Sequence, residues 1–371
     1  MLTLARKNLV KEKVRLAISI AGVAFAVALI VLLRGLYLAY ENKVADYYDA
    51  MHVDGWVLQK GSANLLFSYS ILPLKMSEQL EKIYGVREVI PYTARQMGFK
   101  IDDEKVILRI VGFNPDRAES GPGPLAMDSG TRDINDDQII VDRVFARQNG
   151  VRLGDVLDIN DQQLEVAGIS EGGDMVAFQY GFVGRWRARR LLETRKTVTA
   201  FLLVYERDAP LGYIRDKVES MGGVATVKSL PEMIKANSRV INEGFLPVIR
   251  VLLVIGFFIG VAVIGLTIYS SVLEHRREYG ILKAVGARTR QMLVVVAVQA
   301  MFAAIAGYFV GVGVSLLAAR GAEEWVPQFI TNIQTTDLAF VGVAAVVMGL
   351  LAAFAPLRKI ASVDPAVVFR A

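Results

Sequence analysis

Four stretches of this chain carry no charged residue and are each long enough to cross a membrane. They are 18 to 28 residues long and cover residues 16–33, 251–273, 292–319 and 338–357. Because a helix rises about 1.5 Å per residue, roughly 20 apolar residues cross the ~30 Å hydrocarbon core of a bilayer. The chain is also 53% hydrophobic and only 21% charged. These features predict a membrane protein with four transmembrane helices, at residues 16–38, 246–273, 292–320 and 338–357.

Basic residues are concentrated beside these runs and predict the orientation. Residues 1–15 contain five Lys or Arg and one Glu, and residues 274–291 contain five Lys or Arg and two Glu. In contrast, residues 321–337 contain three acidic residues and no Lys or Arg. Since basic loops stay on the cytoplasmic side, we expect residues 1–15, 274–291 and 358–371 in the cytoplasm and residues 39–245 and 321–337 outside the cytoplasmic (inner) membrane. This topology accounts for the net charge of +5, and no nucleic acid is expected as a partner.

The segment between the first two spans is predicted to form an α+β extracytoplasmic domain. Strand-like and helix-like runs alternate there, separated by Gly, Pro, Asn and Asp turns. Two subdomains are expected, with a boundary between residues 172 and 199. The flanking segments 35–51 and 231–250 favour helices that would form a stalk. The predicted strands cover residues 53–59, 87–92, 105–113, 138–141, 155–159, 163–169, 199–204 and 224–227, and the predicted helices cover residues 77–84, 143–149 and 211–220.

Few residues of the chain could support catalysis or bind a metal. There is no cysteine, and the two histidines, His52 and His275, are predicted on opposite sides of the membrane. The acidic runs 102–104 and 136–137 are interpreted as solvated turns. No GxxxxGK[ST] loop occurs, so the chain is not expected to bind ATP by that device. No acid or base lies within the apolar runs, which argues against an ion-coupled carrier. The chain is therefore predicted to contain no catalytic residue, metal or cofactor.

Two of the apolar runs carry glycines four residues apart. They are Gly256 and Gly260 in the second run, and Gly307 and Gly311 in the third. This spacing lets helix backbones approach closely. We therefore expect these faces to pack against other helices, either within the chain or between two chains.

A charged segment between the second and third runs has the pattern of a short amphipathic helix. Its apolar residues recur three or four positions apart, and Arg, Lys and Glu surround them. Such a helix in a short loop lies on lipid headgroups or docks onto a partner. Glutamates among the basic residues favour a protein partner. The predicted contact residues are Glu274, Arg276, Arg277, Glu278, Tyr279, Gly280, Ile281, Leu282, Lys283, Ala284, Val285 and Gly286.

The same segment resembles a signature of the permease subunits in the MacB/FtsX class of ABC transporters, also called type VII or mechanotransmission permeases. That signature is E-x3-E-[FY]-G-[IL]-L-[KR]-A-[ILV]-G-A, and it matches residues 274–287. Residues 5–15 resemble the family's opening, residues 356–366 its C-terminal close, and residues 140–169 a stretch of its periplasmic domain. The resemblance therefore covers the whole chain. The segments most similar to the DevC-like branch are residues 15–26, 54–57 and 112–115.

The resemblance implies a permease that works with two copies of a separate cytoplasmic ATPase, and that partner would bind the ATP and Mg. Residues 274–291 would form the coupling helix, and the chain would act as a homodimer in export or efflux. The DevC-like branch adds a membrane-fusion adaptor and an outer-membrane channel as partners. The FtsX branch implies an alternative function, a transmembrane regulator that activates a cell-wall hydrolase without transport.

Overall fold

The computed structural model describes residues 13–65, 68–116, 120–172, 179–285, 289–325 and 331–361. The predicted contacts of Gly286 and the final residues 362–371 lie outside this part of the chain. Residue contacts divide the chain into two compact units. The α/β unit is Tyr40–Gly244, and the helical unit comprises Met1–Ala39 and Phe245–Ala371.

Ten helices and twelve strands lie in the described part of the chain. The helices are α1 (Lys13–Asp49), α2 (Ser77–Leu80), α3 (Arg143–Gln148), α4 (Arg185–Leu191), α5 (Leu211–Ser220), α6 (Leu230–Gly244), α7 (Leu246–Glu274), α8 (Arg276–Ala284), α9 (Thr289–Trp325) and α10 (Thr335–Ala361). The strands are β1 (Gly55–Gln59), β2 (Leu72–Pro73), β3 (Val86–Ile101), β4 (Glu104–Phe113), β5 (Ala126–Gly130), β6 (Gln138–Asp142), β7 (Val156–Asp158), β8 (Gln163–Glu171), β9 (Gln179–Gly184), β10 (Thr197–Val198), β11 (Ala200–Tyr205) and β12 (Ala225–Ser229).

The helical unit contains the four helices that are long and apolar enough to span a membrane. The qualifying segments are Lys13–Asp49, Leu246–Glu274, Arg290–Ala322 and Thr335–Phe354. A helix satisfies its own backbone hydrogen bonds, which an apolar segment in lipid requires. Their buried faces meet in one core that includes Val27, Ile264 and Met348. The prediction of four transmembrane helices is confirmed.

The segments predicted to extend the first two spans differ from each other. Helix α1 continues without interruption to Asp49, as the sequence predicts. Helices α6 and α7 are separate, because α6 ends at Gly244 and α7 begins after Phe245. Pro231 and Pro247 lie in the first turns of α6 and α7, where a missing N–H breaks no helical hydrogen bond. The predicted helix over residues 231–250 is therefore two helices.

The start of α6 is fixed by the carboxylate of Glu232. One of its oxygens accepts hydrogen bonds from the backbone N–H and the hydroxyl of Ser229, at 2.8 and 3.1 Å, and from Arg215 at 2.7 Å. The Ser229 N–H is the main cause that lowers the pKa of Glu232 below its usual value. A carboxylate at this position satisfies a backbone donor that the helix leaves without a partner.

The α/β unit is built on one ten-stranded sheet. Its strand order is β12-β1-β11-β3-β4-β9-β6-β8-β5, with β7 paired to β8. Strand β3 belongs to both halves of this sheet: residues 86–92 pair with β11, and residues 93–101 pair with β4. Helices α2 and α5 accompany the first half, and α3 and α4 accompany the second. The predicted α+β class is confirmed.

The acidic run after β3 forms a hairpin turn. Asp102 and Asp103 have φ values of +47° and +66°, and Ile101 pairs directly with Glu104. Two residues with positive φ make the tight turn whose twist matches that of the flanking strands. The interpretation of this run as a solvated turn is therefore confirmed.

The two halves of the sheet do not follow each other along the chain. The second half is inserted after Tyr92, and the chain returns to the first half at Thr199. There the Thr199 N–H donates to the carbonyl of Tyr92 at 2.8 Å, and its hydroxyl bonds the backbone of Ala94 at 3.0 Å. A boundary does lie between residues 172 and 199, after α4. The first half is discontinuous in sequence, however, because β1 and β3 pair with β11 from the far side of the insertion.

Candidate functional site

Helix α8 forms a separate short helix in the charged segment that follows α7. His275 separates the two helices, and its backbone N–H ends α7 by donating to Ser271 at 3.0 Å. Glu278 lies in the first turn of α8 and Lys283 in the last, which suits the helix dipole at both ends. The Val285 N–H closes the last turn on the carbonyl of Ile281 at 3.0 Å. The charged segment therefore contains a short helix, at Arg276–Ala284 rather than over the predicted residues 274–291.

Two apolar side chains of this segment are exposed. Ile281 is 46% exposed and Val285 is 83% exposed. Residues four apart lie on the same side of a helix. Arg277 and Glu278 are exposed nearby, Lys283 is half-buried, and Gly280 is buried. An exposed apolar pair with a charged rim is the arrangement found where a short helix docks onto another protein.

Some predicted contact residues are described only in part. The backbones of Arg276, Tyr279, Leu282 and Ala284 are helical, whereas their side chains lie outside the described part of the structure. Gly286 lies outside it altogether. Ile281 and Val285 are therefore the apolar side chains of this segment whose exposure the structure describes.

Glu274, predicted to contact a partner, forms an ion pair with Arg15 near the start of α1. The Arg15 side chain is half-buried, and that of Glu274 is mostly exposed. This pair joins the end of α7, immediately before α8, to the first span. The sequence gives no sign of it, because 258 residues separate the two charges.

The paired glycines in α7 and α9 pack against α1. A methyl group added to Gly307 would lie 2.5 Å from Cβ of Val23, and one added to Gly311 would lie 2.7 Å from the backbone oxygen of Ala24. Real Cβ atoms do not approach other atoms so closely, so only glycine fits at these contacts. At Gly256 the added methyl would lie 3.4 Å from Leu29, and at Gly260 it would lie 2.8 Å from Sδ of Met348 on α10 and 3.3 Å from Ala26 on α1. Of the two arrangements that the sequence left open, the structure shows these contacts within one chain.

A second ion pair joins the other end of the α1 span to the start of α10. Arg34 donates to the carboxylate of Asp337, whose side chain is only 7% exposed. Asp337 also lies in the first turn of α10, where a negative charge is favourable. The sequence hints at this pair only in placing Arg34 just after one apolar run and Asp337 just before another.

Replacing Arg34 by glutamine is expected to destabilise the helical unit by about 1–3 kcal/mol, because it leaves a largely buried carboxylate without its cation. The double variant Arg34→Gln/Asp337→Asn should recover part of the loss, since it removes the buried charge as well. Thermal unfolding in detergent micelles measures both. Arg320→Gln, at an exposed arginine of α9, serves as the control. Equal melting temperatures for Arg34→Gln and Arg320→Gln would show that the ion pair contributes nothing.

The structure suggests no metal site in its described part. Among those residues, no three His, Cys, Asp or Glu side chains gather as metal ligands would. Asp136 and Asp137 lie exposed in a turn, as interpreted from the sequence, and they also pair with two arginines of α4. Asp136 contacts Arg190 at 2.7 Å, and Asp137 contacts the buried Arg187. These carboxylates hold α4 against the sheet, so they are structural.

Comparison with known protein families identifies both parts of the chain. Residues 16–208 match the sequence model of the MacB-like periplasmic core domain, and residues 250–365 match that of the FtsX-like permease C-terminal region. The first match alone covers more than half of the chain. The chain belongs to the MacB/FtsX family of ABC transporter permeases. The family predicted from the charged segment and the chain ends is thereby confirmed, and the protein is a multi-pass membrane protein with a periplasmic-type α/β domain.

Relatives of this permease match it over different lengths. An uncharacterized ABC transporter permease of Mycobacterium bovis is 25% identical over an alignment of 374 positions, which covers all of this chain and 99% of that protein. The macrolide export ATP-binding/permease protein MacB of Salmonella paratyphi A is 31% identical over 122 residues, 33% of this chain and 18% of that protein. The solved periplasmic region of MacB from Actinobacillus actinomycetemcomitans covers 49% of this chain at 9% identity and a TM-score of 0.38, and 91% of that region is matched. That structural similarity is too low to support an argument about function.

Proposed function

We propose that this permease couples ATP hydrolysis by a separate cytoplasmic ATPase to movement of its α/β domain, in export or efflux. The observation that carries the proposal is the exposed pair Ile281 and Val285 on α8. Leaving two such side chains in water is unfavourable, by about 25 cal/mol per Å² of apolar surface, unless a partner covers them. The segment also has the family's signature, and the chain contains no ATP-binding loop of its own.

The proposed topology follows from the charge distribution. Residues 1–15 and 274–291 are basic and are placed in the cytoplasm, where α8 can meet the ATPase. Asp337, in the first turn of α10, and the two other acidic residues of 321–337 are placed outside, together with the α/β unit. The membrane is then the cytoplasmic (inner) membrane, crossed four times.

The proposed path of the movement begins at α8. A displacement of α8 is transmitted directly to the end of α7, which precedes it in the chain. The Arg15–Glu274 ion pair transmits the displacement to the start of α1. Helix α1 then runs without a break from Lys13 to Asp49, and a continuous helix is a stiff connection along the chain. The glycine contacts of Gly307 and Gly311 hold α9 against the same helix. This mechanism requires no substrate tunnel through the bilayer.

The proposed assembly is a homodimer of this chain with two ATPase subunits, which bind the ATP and Mg. A membrane-fusion adaptor and an outer-membrane channel are further proposed partners if the chain belongs to the DevC-like branch. The match of residues 250–365 to the FtsX-like region also supports the second candidate, a regulator that activates a cell-wall hydrolase without transport.

The test is affinity purification of the full-length protein from its native membranes, followed by mass spectrometry. The proposal predicts an ABC ATPase in the purified complex, and ATP hydrolysis that rises when the two proteins are reconstituted together. A co-purified adaptor favours export, and a co-purified hydrolase favours the regulator. Absence of any ATPase from a complex that retains other membrane partners would contradict both functions.

A further inference from the structure

A cleft of about 410 Å³ lies in the α/β unit where the two halves of the sheet meet. One wall is the edge of β3 from Thr93 to Gln96, just beyond the last residue that pairs with β11. The opposite walls are formed by residues 68–71 and by residues 192–199 after α4. Pockets that bind small molecules typically measure about 300–1,000 Å³. The cleft therefore has the size of a ligand site.

The lining of this cleft is cationic and rich in hydroxyl groups. Two arginines line it, Arg109 on β4 and Arg95 on β3, and no Asp or Glu is among the described residues that do so. Gln96 pairs directly with Arg109 across the two strands, so both side chains lie on the same face of the sheet. The hydroxyl-bearing residues of the lining are Ser68, Tyr69, Ser70, Thr93, Thr194, Thr197 and Thr199.

Arg109 is a deeply buried cation, only 5% exposed. Its guanidinium donates to the backbone oxygen of Leu65 at 2.5 Å and also bonds the phenol of Tyr92. Burial raises the pKa of both Tyr92 and Tyr180 above the usual value for a phenol. These phenols are therefore neutral at neutral pH, and they solvate the charge of Arg109 without cancelling it. A buried cation beside a cleft is a strong attraction for an anion.

Two hydroxyl groups of the lining have hydrogen-bonding capacity left for a ligand. Ser70 accepts a hydrogen bond from the backbone N–H of Gln59 at 2.9 Å, so its own proton remains available to donate. The hydroxyl oxygen of Thr194 is closed off from solvent and has no hydrogen-bond partner among the residues that the structure describes. Such orphaned polar atoms are rare in folded proteins and call for an explanation.

We propose that this cleft binds the phosphate group of a small polar ligand. Guanidinium groups bind phosphate and carboxylate in the same forked geometry. A phosphate has three acceptor oxygens and a charge of about −1.5 to −2, whereas a carboxylate has two oxygens and a single charge. The guanidinium of Arg109, the amide of Gln96 on the same face and the hydroxyls of Ser70 and Thr194 offer donors to more oxygens than the two of a carboxylate. Arg95, next to Gln96 on β3 and therefore on the opposite face, adds positive charge at the rim of the cleft. The site is independent of the ATPase contact at α8.

The test uses the full-length protein in nanodiscs of phosphatidylcholine, titrated with glycerol 3-phosphate in a calorimeter. Saturable binding is expected. In Arg95→Gln the Kd should rise about tenfold, because a positive charge beside the cleft is lost. Thr194→Val, which keeps the shape of the side chain and removes only the hydroxyl, should raise the Kd about fivefold. Arg147→Gln is the matched control, since Arg147 is an exposed arginine of the same unit outside the cleft.

Two further arms identify the source of the phosphate. Inorganic phosphate should compete with glycerol 3-phosphate, and glycerol should not. Nanodiscs that contain phosphatidic acid, whose headgroup is a phosphate monoester, should weaken the apparent affinity for glycerol 3-phosphate if a lipid headgroup occupies the cleft, and leave it unchanged if the ligand is soluble. The proposal is overturned if neither phosphate compound binds saturably, or if Arg147→Gln weakens binding as much as Arg95→Gln does.

Discussion

Replacement of Val285 by glutamate is expected to abolish stable association of this permease with its ATPase. Val285 is 83% exposed, so the change should not disturb packing within the chain. In the proposed complex, however, the carboxylate would be buried against an ATPase surface that covers Ile281 and Val285. An apolar residue at the centre of an interface contributes about 2 kcal/mol or more, which corresponds to a roughly 30-fold weaker complex. Co-purification and ATPase stimulation in reconstituted membranes measure the effect.

Val156→Glu provides the control for this experiment. Val156 is also an exposed valine, at 59%, but it lies on β7 in the α/β unit, far along the chain from the coupling helix. This variant should bind and stimulate the ATPase like the native protein. Ile281→Glu should behave like Val285→Glu, because the two side chains lie on the same side of α8. If both α8 variants retained full binding and stimulation, α8 would not be the docking element.

The double substitution Gly307→Ala/Gly311→Ala is expected to cause the largest loss of stability. Each added methyl group would meet α1 at 2.5–2.7 Å from Val23 or from the backbone oxygen of Ala24. The backbone oxygen cannot turn aside as a side chain could, so α9 would have to move away from α1. Overpacking of this kind costs about 1–3 kcal/mol at each site. The total is a large fraction of the 5–15 kcal/mol that stabilises an ordinary domain.

The same helix contains its own control pair. A methyl group at Gly313 or Gly321 would meet no described atom within 4 Å. Gly313→Ala/Gly321→Ala should therefore leave the melting temperature unchanged or raise it slightly, since alanine favours helix more than glycine does. Thermal unfolding in detergent micelles, followed by tryptophan fluorescence, compares the two double variants. Equal melting temperatures would show that α9 is not held closely against α1.

The sequence predicts the helical unit well because few backbone conformations are stable in a bilayer. A charge-free run of about 20 residues in lipid must form a helix, whatever its neighbours do. The helical pattern of α8 is similarly local, since Ile281 and Val285 are separated by one helical turn. The glycine spacing predicts close packing for the same reason. The glycine spacing does not identify α1 as the partner, because the sequence of a helix does not specify which neighbouring helix it faces.

The α/β unit is predicted less completely because its order depends on distant pairings. Strand β5 has the sequence Ala-Met-Asp-Ser-Gly, which lacks the apolar alternation of a strand and forms one only by pairing with β8. Strand β3 continues past Tyr92 because β4 folds back onto it. The ion pairs Arg15–Glu274 and Arg34–Asp337 join the two ends of the chain. The sequence also offers no local sign of the cleft at Arg109, because its walls come from four separate segments.

The return of the chain at Thr199 to the backbone of Tyr92 and Ala94 gives the second half of the sheet the closely spaced ends of an inserted module. Its entry and exit are only a hydrogen bond apart, 2.8 Å between the Thr199 nitrogen and the Tyr92 oxygen. A different module with similarly close ends could therefore be spliced in there without stretching either connection. Such a module would also have to supply the apolar face that Phe113, Tyr180 and Phe182 present to Tyr47 and Trp56, because the two halves of the sheet share one core.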